Sequence, residues 1–156
     1  MWRARWSRAV RAVVGAAMLG AAAPAAAVCQ ASASGINFGA YDVFSPLAAT
    51  STGTITVTCR VAPPPTVVIA IGPSAVSGLI NPRRLRGGGS DTVDYNVFID
   101  NARTVIWGDG VLGGSTVSQR FTPNQTIPFT VYGGVPAGQN AAAGAYSDSL
   151  QVTIIW

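Results

Sequence analysis

The sequence predicts an all-β fold of the sandwich type, and three observations carry the prediction. Beyond residue 27, apolar residues recur at every second position in several short segments, which is the period of a half-buried strand. Clusters of Gly, Pro, Asn and Asp, which favour turns, separate those segments. No stretch of ten residues there carries the apolar period of a helix. Several short strands at such spacing bury their apolar faces by packing as two sheets.

In chain order, Ser51 to Arg60 sets Ile55, Val57 and Cys59 between Thr54, Thr56 and Thr58, a strand with one buried face, and Pro63-Pro64-Pro65 stops it. Val67 to Ile71 is a continuous apolar run rich in β-branched residues, consistent with a central strand and ended by Gly72-Pro73. Asn81 to Ser90 reads as a mobile loop by composition, with Arg83, Arg84 and Arg86 on a solvated face. Tyr95, Val97 and Ile99 alternate with Asn96, Phe98 and Asp100. A turn over Asp100 to Arg103 brings Thr104 to Trp107 back as the second arm of a hairpin. Gly108 to Ser115 and Gly133 to Gly144 are loops, and between them Ile127 to Tyr132 is a strand whose start Pro128 confines to an edge. The final segment, Ser149 to Trp156, places Leu150, Val152, Ile154 and Trp156 on one face and Gln151 and Thr153 on the other. With nothing after Trp156 to pair with it, that strand is expected to leave an edge that has to be covered.

Residues 1–27 differ from the rest. Arg3, Arg5, Arg8 and Arg11 precede an apolar run from Val13 to Ala23. Pro24 and the small residues Ala25-Ala26-Ala27 then complete the pattern of a cleavable secretory signal peptide. The run is shorter than the roughly 20 residues a membrane-spanning helix needs, and no other span is predicted. Val28 stands where a lipoprotein signal before Cys29 wants a smaller residue. The remaining residues, 28–156, are expected to form one domain. The formal net charge of +4 belongs to the leader, because residues 28–156 balance six arginines against six aspartates. The basic character of the whole chain therefore says nothing about nucleic acid, and no nucleic-acid partner is expected. A surface so low in charge solvates poorly, which suits a protein that ends in an assembly. In an oxidising compartment the cysteines Cys29 and Cys59 read as one disulfide, and without His they cannot complete a zinc site unaided.

Chemistry-bearing motifs are sparse. Gly108-Asp109-Gly110-Val111-Leu112-Gly113 has glycine spacing of the dinucleotide-binding kind, but Gly114-Ser115-Thr116-Val117 is a poor start for the helix such a site requires. The sequence has no His and no Glu, its aspartates are scattered, and Asp91 and Asp94 sit beside turn-forming Ser90 and Thr92. Neither acid–base nor serine-hydrolase chemistry has its residues, so no catalytic residue, metal site or cofactor is expected and the protein is read as a non-enzyme. Trp107 and Asp109 could form a sugar-binding loop, although a tryptophan at such a place more often belongs to a sandwich core.

Three sets of residues resemble the spore coat protein U domain family. The first is Cys29, Gly35-Ile36-Asn37-Phe38-Gly39 and Thr56-Val57-Thr58-Cys59. The second is Tyr95 to Asp100, Ala102-Arg103-Thr104 and Trp107 to Gly110. The third is Val131-Tyr132-Gly133, Pro136 to Gln139, Gly144 to Asp148 and the closing apolar strand. The family includes subunits of the archaic, Csu-type chaperone–usher pili. The resemblance implies an immunoglobulin-like β-sandwich lacking its final strand, whose open groove takes a strand from a periplasmic chaperone and later from a neighbouring subunit. Leu150, Val152, Ile154 and Trp156 would line that groove. The partners implied are the chaperone, an usher and other pilus subunits, and the location a cell surface, pilus or extracellular coat reached through the periplasm. Pilus subunits of this kind carry a donor segment before the first cysteine, whereas cleavage after Ala27 leaves only Val28 there. The expectation is a chain that accepts a strand without donating one, at a pilus tip or in a spore coat or matrix layer.

Overall fold

The structure, a computed structural model, describes residues 2–8, 29–60, 63 and 65–156. The apolar run and cleavage site expected in the leader lie outside the described residues. Ten strands follow in order: β1 (Trp2–Arg8), β2 (Cys29–Ala33), β3 (Ile36–Gly39), β4 (Ala49–Cys59), β5 (Thr66–Ile71), β6 (Arg83–Arg86), β7 (Thr92–Phe98), β8 (Val117–Arg120), β9 (Gln125–Val135) and β10 (Ser147–Ile155). The described residues contain no helix. The fold is the all-β, immunoglobulin-like sandwich that the sequence predicts.

One layer runs β2-β4-β9-β7, and the other carries β8-β5-β10-β1-β3 with β6 against the start of β10. Strand β7 belongs to both layers: Thr92 to Tyr95 pairs with β6, and Asn96 to Phe98 with β9. Every pairing of named strands is antiparallel except β1 with β10. The inner faces follow the period-two pattern. Ile55, Val57 and Cys59 of β4 and Val131 and Val135 of β9 are buried, as are Val67, Ile69 and Ile71 of β5 and Leu150 and Ile154 of β10. Each such aliphatic side chain contributes about 1.5–3 kcal/mol on burial. Cys29 faces Cys59 across the β2–β4 ladder, and the two form the expected disulfide with Cα atoms 4.2 Å apart.

Strands β1, β2, β3 and β8 stand where the sequence reading placed none, and two further segments depart from it. Arg83 to Arg86 is a strand within the expected loop. Arg83 and Leu85 point inward and are fully buried, while Arg84 and Arg86 point out. The basic composition concealed an ordinary alternation, because the inward arginine finds its partners in other segments. Strand β9 also continues through Gly133 and Gly134 to Val135, where a loop was expected. These glycines serve packing: a Cβ on Gly133 would lie 2.7 Å from the Phe38 ring and 3.0 Å from Ile36 Cγ2. Strands β4, β5, β7 and β10 stand close to their expected places. Pro128 pairs with Thr56 of β4 in the part of β9 that β7 does not reach, so its missing donor falls at an edge.

Candidate strand-binding seam

Strand β10 has two edges, and they are satisfied differently. On one side Val152 to Ile155 pairs with Ile71 to Val68 of β5, and the Ser149 and Gln151 carbonyls accept the Ala75 and Gly72 N–H groups at 3.2 and 2.8 Å. Alternation along a strand then turns the backbone groups of Asp148, Leu150 and Val152 to the other side. That side is met by β1, which runs parallel to β10 from Arg3↔Ser147 to Arg8↔Val152. The far edge of β1 meets β3 through Trp2↔Gly39, Arg3↔Asn37 and Ala4↔Ile36. A seam between β10 and β3 is therefore filled by one strand, and among the described residues that strand comes from the segment carrying the leader pattern.

The walls of the seam are joined beneath it by Tyr95 of β7. Its ring packs edge-on against Phe38 of β3, with centroids 5.9 Å apart and planes at 67°. Its hydroxyl donates to Asp148 Oδ2 of β10 at 2.7 Å. Both residues are buried, and Asp148 Oδ1 accepts the Ser149 N–H. Burial, then the nearby Asp148 carboxylate, pushes the Tyr95 hydroxyl well above its ordinary pKa. A buried phenol that donates to a buried carboxylate, with its ring against Phe38, braces the two walls.

The four groove residues expected from the sequence share the core-facing side of the last segment. Leu150 and Ile154 are buried, whereas Val152 and Trp156 are half-buried against the same core. Sequence reasoning found this face but missed Tyr95, Asp148 and Phe38, whose contacts join residues far apart in the chain. It also missed Arg83. This guanidinium donates to Asn96 Oδ1 at 2.7 Å and to the carbonyls of Ile71, Gly72 and Trp107 at 2.9–3.2 Å. Desolvation lowers its pKa to about 10. Its role is to pin the end of β5 and the Trp107 segment to β7. By contrast, Arg84 pairs with Asp94 at 2.8 Å on the surface, an interaction worth little.

Trp107 does not present a stacking face. It is 1 % exposed, and its indole N–H donates to the Ile69 carbonyl at 3.0 Å. The sugar-binding alternative loses its platform, because the ring fills the space between β5 and β7. Asp109 lies on the exposed loop, where its Oδ1 accepts the Val111 and Leu112 N–H groups at 2.9 and 2.7 Å. The loop closes on itself through Gly108 N–H to the Ser115 carbonyl and Ser115 N–H to the Ile106 carbonyl. A Cβ on Gly114, whose φ is +67°, would sit 2.8 Å from the Gly108 nitrogen, so this glycine is needed both for its torsion and for the close approach. No helix follows the loop to hold a pyrophosphate.

The profile of the Spore Coat Protein U domain matches residues 16–153. A curated relative, "Protein U" of Myxococcus xanthus, is 35 % identical over 130 residues, covering 76 % of this chain and 70 % of the relative.

Proposed function

This chain belongs to the Spore Coat Protein U domain family, and from that premise we infer that it is an exported structural protein of the cell surface, a pilus-type subunit whose sandwich is completed by a strand from another molecule. The observation that carries this reading is the double pairing of β1: the β10 edge from Ser147 to Val152 and the β3 edge meet a partner, among the described residues, only in Trp2–Arg8. A chain that loses a leader on export would expose both edges. A periplasmic chaperone would cover them first, an usher would receive the complex, and a neighbouring subunit's extension would take the chaperone's place. Backbone hydrogen bonds would supply the affinity and side-chain pockets the register. The role is structural, without a catalytic step or cofactor.

The test is periplasmic co-expression with a candidate chaperone of the chaperone–usher class, followed by purification and intact-mass measurement. A one-to-one complex containing an oxidised chain that starts at Val28 is expected. A stable chaperone-free monomer would overturn the pilus reading. The likeness to Protein U favours a second reading, a coat or matrix protein outside the pilus pathway. Immunogold electron microscopy separates the two: label confined to fibres supports the first, a continuous layer the second.

A further inference from the structure

The brace sets the end of β3 beside the start of β10, because Phe38 packs on Tyr95 and Tyr95 donates to Asp148. Residues 40–48 run from that mouth of the seam to β4, and hydrogen bonds fix them. The Asp42 carbonyl accepts the Ser45 N–H at 3.1 Å, and Asp42 Oδ1 accepts the Phe44 N–H at 2.9 Å. Ser45 Oγ accepts the Leu47 N–H at 3.1 Å. Tyr41 ties the turn to the body: its hydroxyl donates to the Pro136 carbonyl at 2.7 Å and accepts the Gln139 N–H at 3.0 Å. The Gln139 side chain bonds both backbone groups of Asp94, the residue before Tyr95. This anchored turn holds Phe44 91 % and Leu47 75 % exposed. An aromatic ring held out on a fixed backbone loses little freedom when it is covered, which is the character of an interface anchor. A second exposed apolar pair, Val111 and Leu112, stands elsewhere. Its loop hangs from the Ile71 N–H, on the β5 edge of β10 and away from the seam.

We propose that the turn over residues 42–47 is a second contact of the seam, at which Phe44 and Leu47 dock on an apolar surface of the periplasmic chaperone's own folded body. This rests on the strand-accepting reading above and adds a partner surface to it. The geometry of strand lending selects that partner. A strand lent by a chaperone remains part of its folded domain, so the domain lies against the rim of the seam. A neighbouring subunit instead offers an extension on a tether, and its body can stand clear of the rim. The turn is continuous with β3, one wall of the seam, and starts where Phe38, Tyr95 and Asp148 join the two walls. A contact there holds the chaperone body without entering the backbone ladder, and its loss acts mainly on the rate of release.

The experiment exports the full chain together with a candidate chaperone of the chaperone–usher class and purifies the complex. Exchange of the bound chaperone against an excess of the same chaperone, fluorescently labelled, is then timed. Three chains are compared: wild type, Phe44→Ser with Leu47→Ser, and Val111→Ser with Leu112→Ser as the remote exposed pair. All three should give a one-to-one oxidised complex. The turn variant should exchange at least about tenfold faster than wild type, and the remote variant at the wild-type rate. Equal rates for the turn variant and wild type, or the same acceleration in both variants, would overturn the proposal and leave the strand-accepting reading standing. A wild-type chain that folds but forms no complex removes that reading, and the proposal with it. Unchanged exchange together with weaker self-association of the released turn variant would make a second copy the occupant, which also overturns the proposal. Should the double variant fail to accumulate, Phe44→Ser alone is compared with Phe44→Leu: faster exchange for serine supports the contact, and equal rates overturn it.

Discussion

The β4–β9 ladder and the β10–β3 seam flank the same core but differ in where their strands come from. The ladder runs through eleven consecutive pairs, from Ala49↔Val135 to Cys59↔Gln125, and the disulfide ties its outer neighbour β2 to the end of β4. The seam depends on six pairs along β10 and three along β3, all supplied by residues 2–8. One side of the sandwich is thus self-sufficient within residues 29–156, and the other is completed by a segment that the leader reading assigns to removal. The proposed function assigns the capacity to exchange a strand to the second side.

The hardest blow to the seam side is a charge on its inward face. Ile154→Asp places a carboxylate where 3 % of the side chain is exposed, and a loss upwards of about 4 kcal/mol is expected. Periplasmic yield and chaperone co-purification should both fall sharply, and unchanged values would show that β10 is not what a partner grips. On the ladder side, replacing Cys29 and Cys59 together with Ser should cost about 3–4 kcal/mol in urea unfolding, whether or not the seam is occupied. A cost that depended on seam occupancy would mean the two sides are not independent.

Tyr95→Phe probes the brace between the seam walls. It leaves the buried Asp148 carboxylate without its phenol donor, for an expected loss of about 1–3 kcal/mol. Because the folded state raises the Tyr95 pKa, that residue's contribution is full below about pH 10, where an unfolded tyrosine keeps its proton, and fades as pH rises through the folded value. The difference in stability between wild type and Tyr95→Phe should therefore shrink in alkali, and a constant gap would contradict the assignment.

The smallest effect is local. The Val105 N–H, followed by the Thr104 N–H and hydroxyl, holds the exposed Asp100 carboxyl below its ordinary value. Its turn should keep its order above the unfolded carboxylate range near pH 4 and lose it only as pH falls further. NMR shifts of Thr104 and Val105 would follow that midpoint, and a midpoint at or above the ordinary carboxylate value would refute the cap.

Much of this was legible in the sequence where a single local rule decided. Alternation gave the faces of β4 and β10, and the two cysteines of an exported chain gave the disulfide. The misses share a physical cause: residues whose role is set by distant segments. The run Arg83-Arg84-Leu85-Arg86 looks like a solvated loop until the Ile71, Gly72 and Trp107 carbonyls converge on Arg83. Gly133-Gly134 looks like a loop until Phe38 lies across it. The brace from Phe38 through Tyr95 to Asp148 spans three strands, and no spacing along the chain announces it. Trp2–Arg8 was read for its charge alone, and its backbone pairs with β10 and β3, both distant in the chain.

A strand seated between β10 and β3 has neighbours on both sides and no unused side of its own. An ordinary sheet edge behaves differently, since each strand added there becomes the template for the next. On the strand-accepting reading, the seam would be a receptor of valence one: it would saturate at a single occupant per molecule and pass no template onward. On that reading, chain growth through it would proceed by one link per domain, with a stoichiometry set by architecture rather than by concentration.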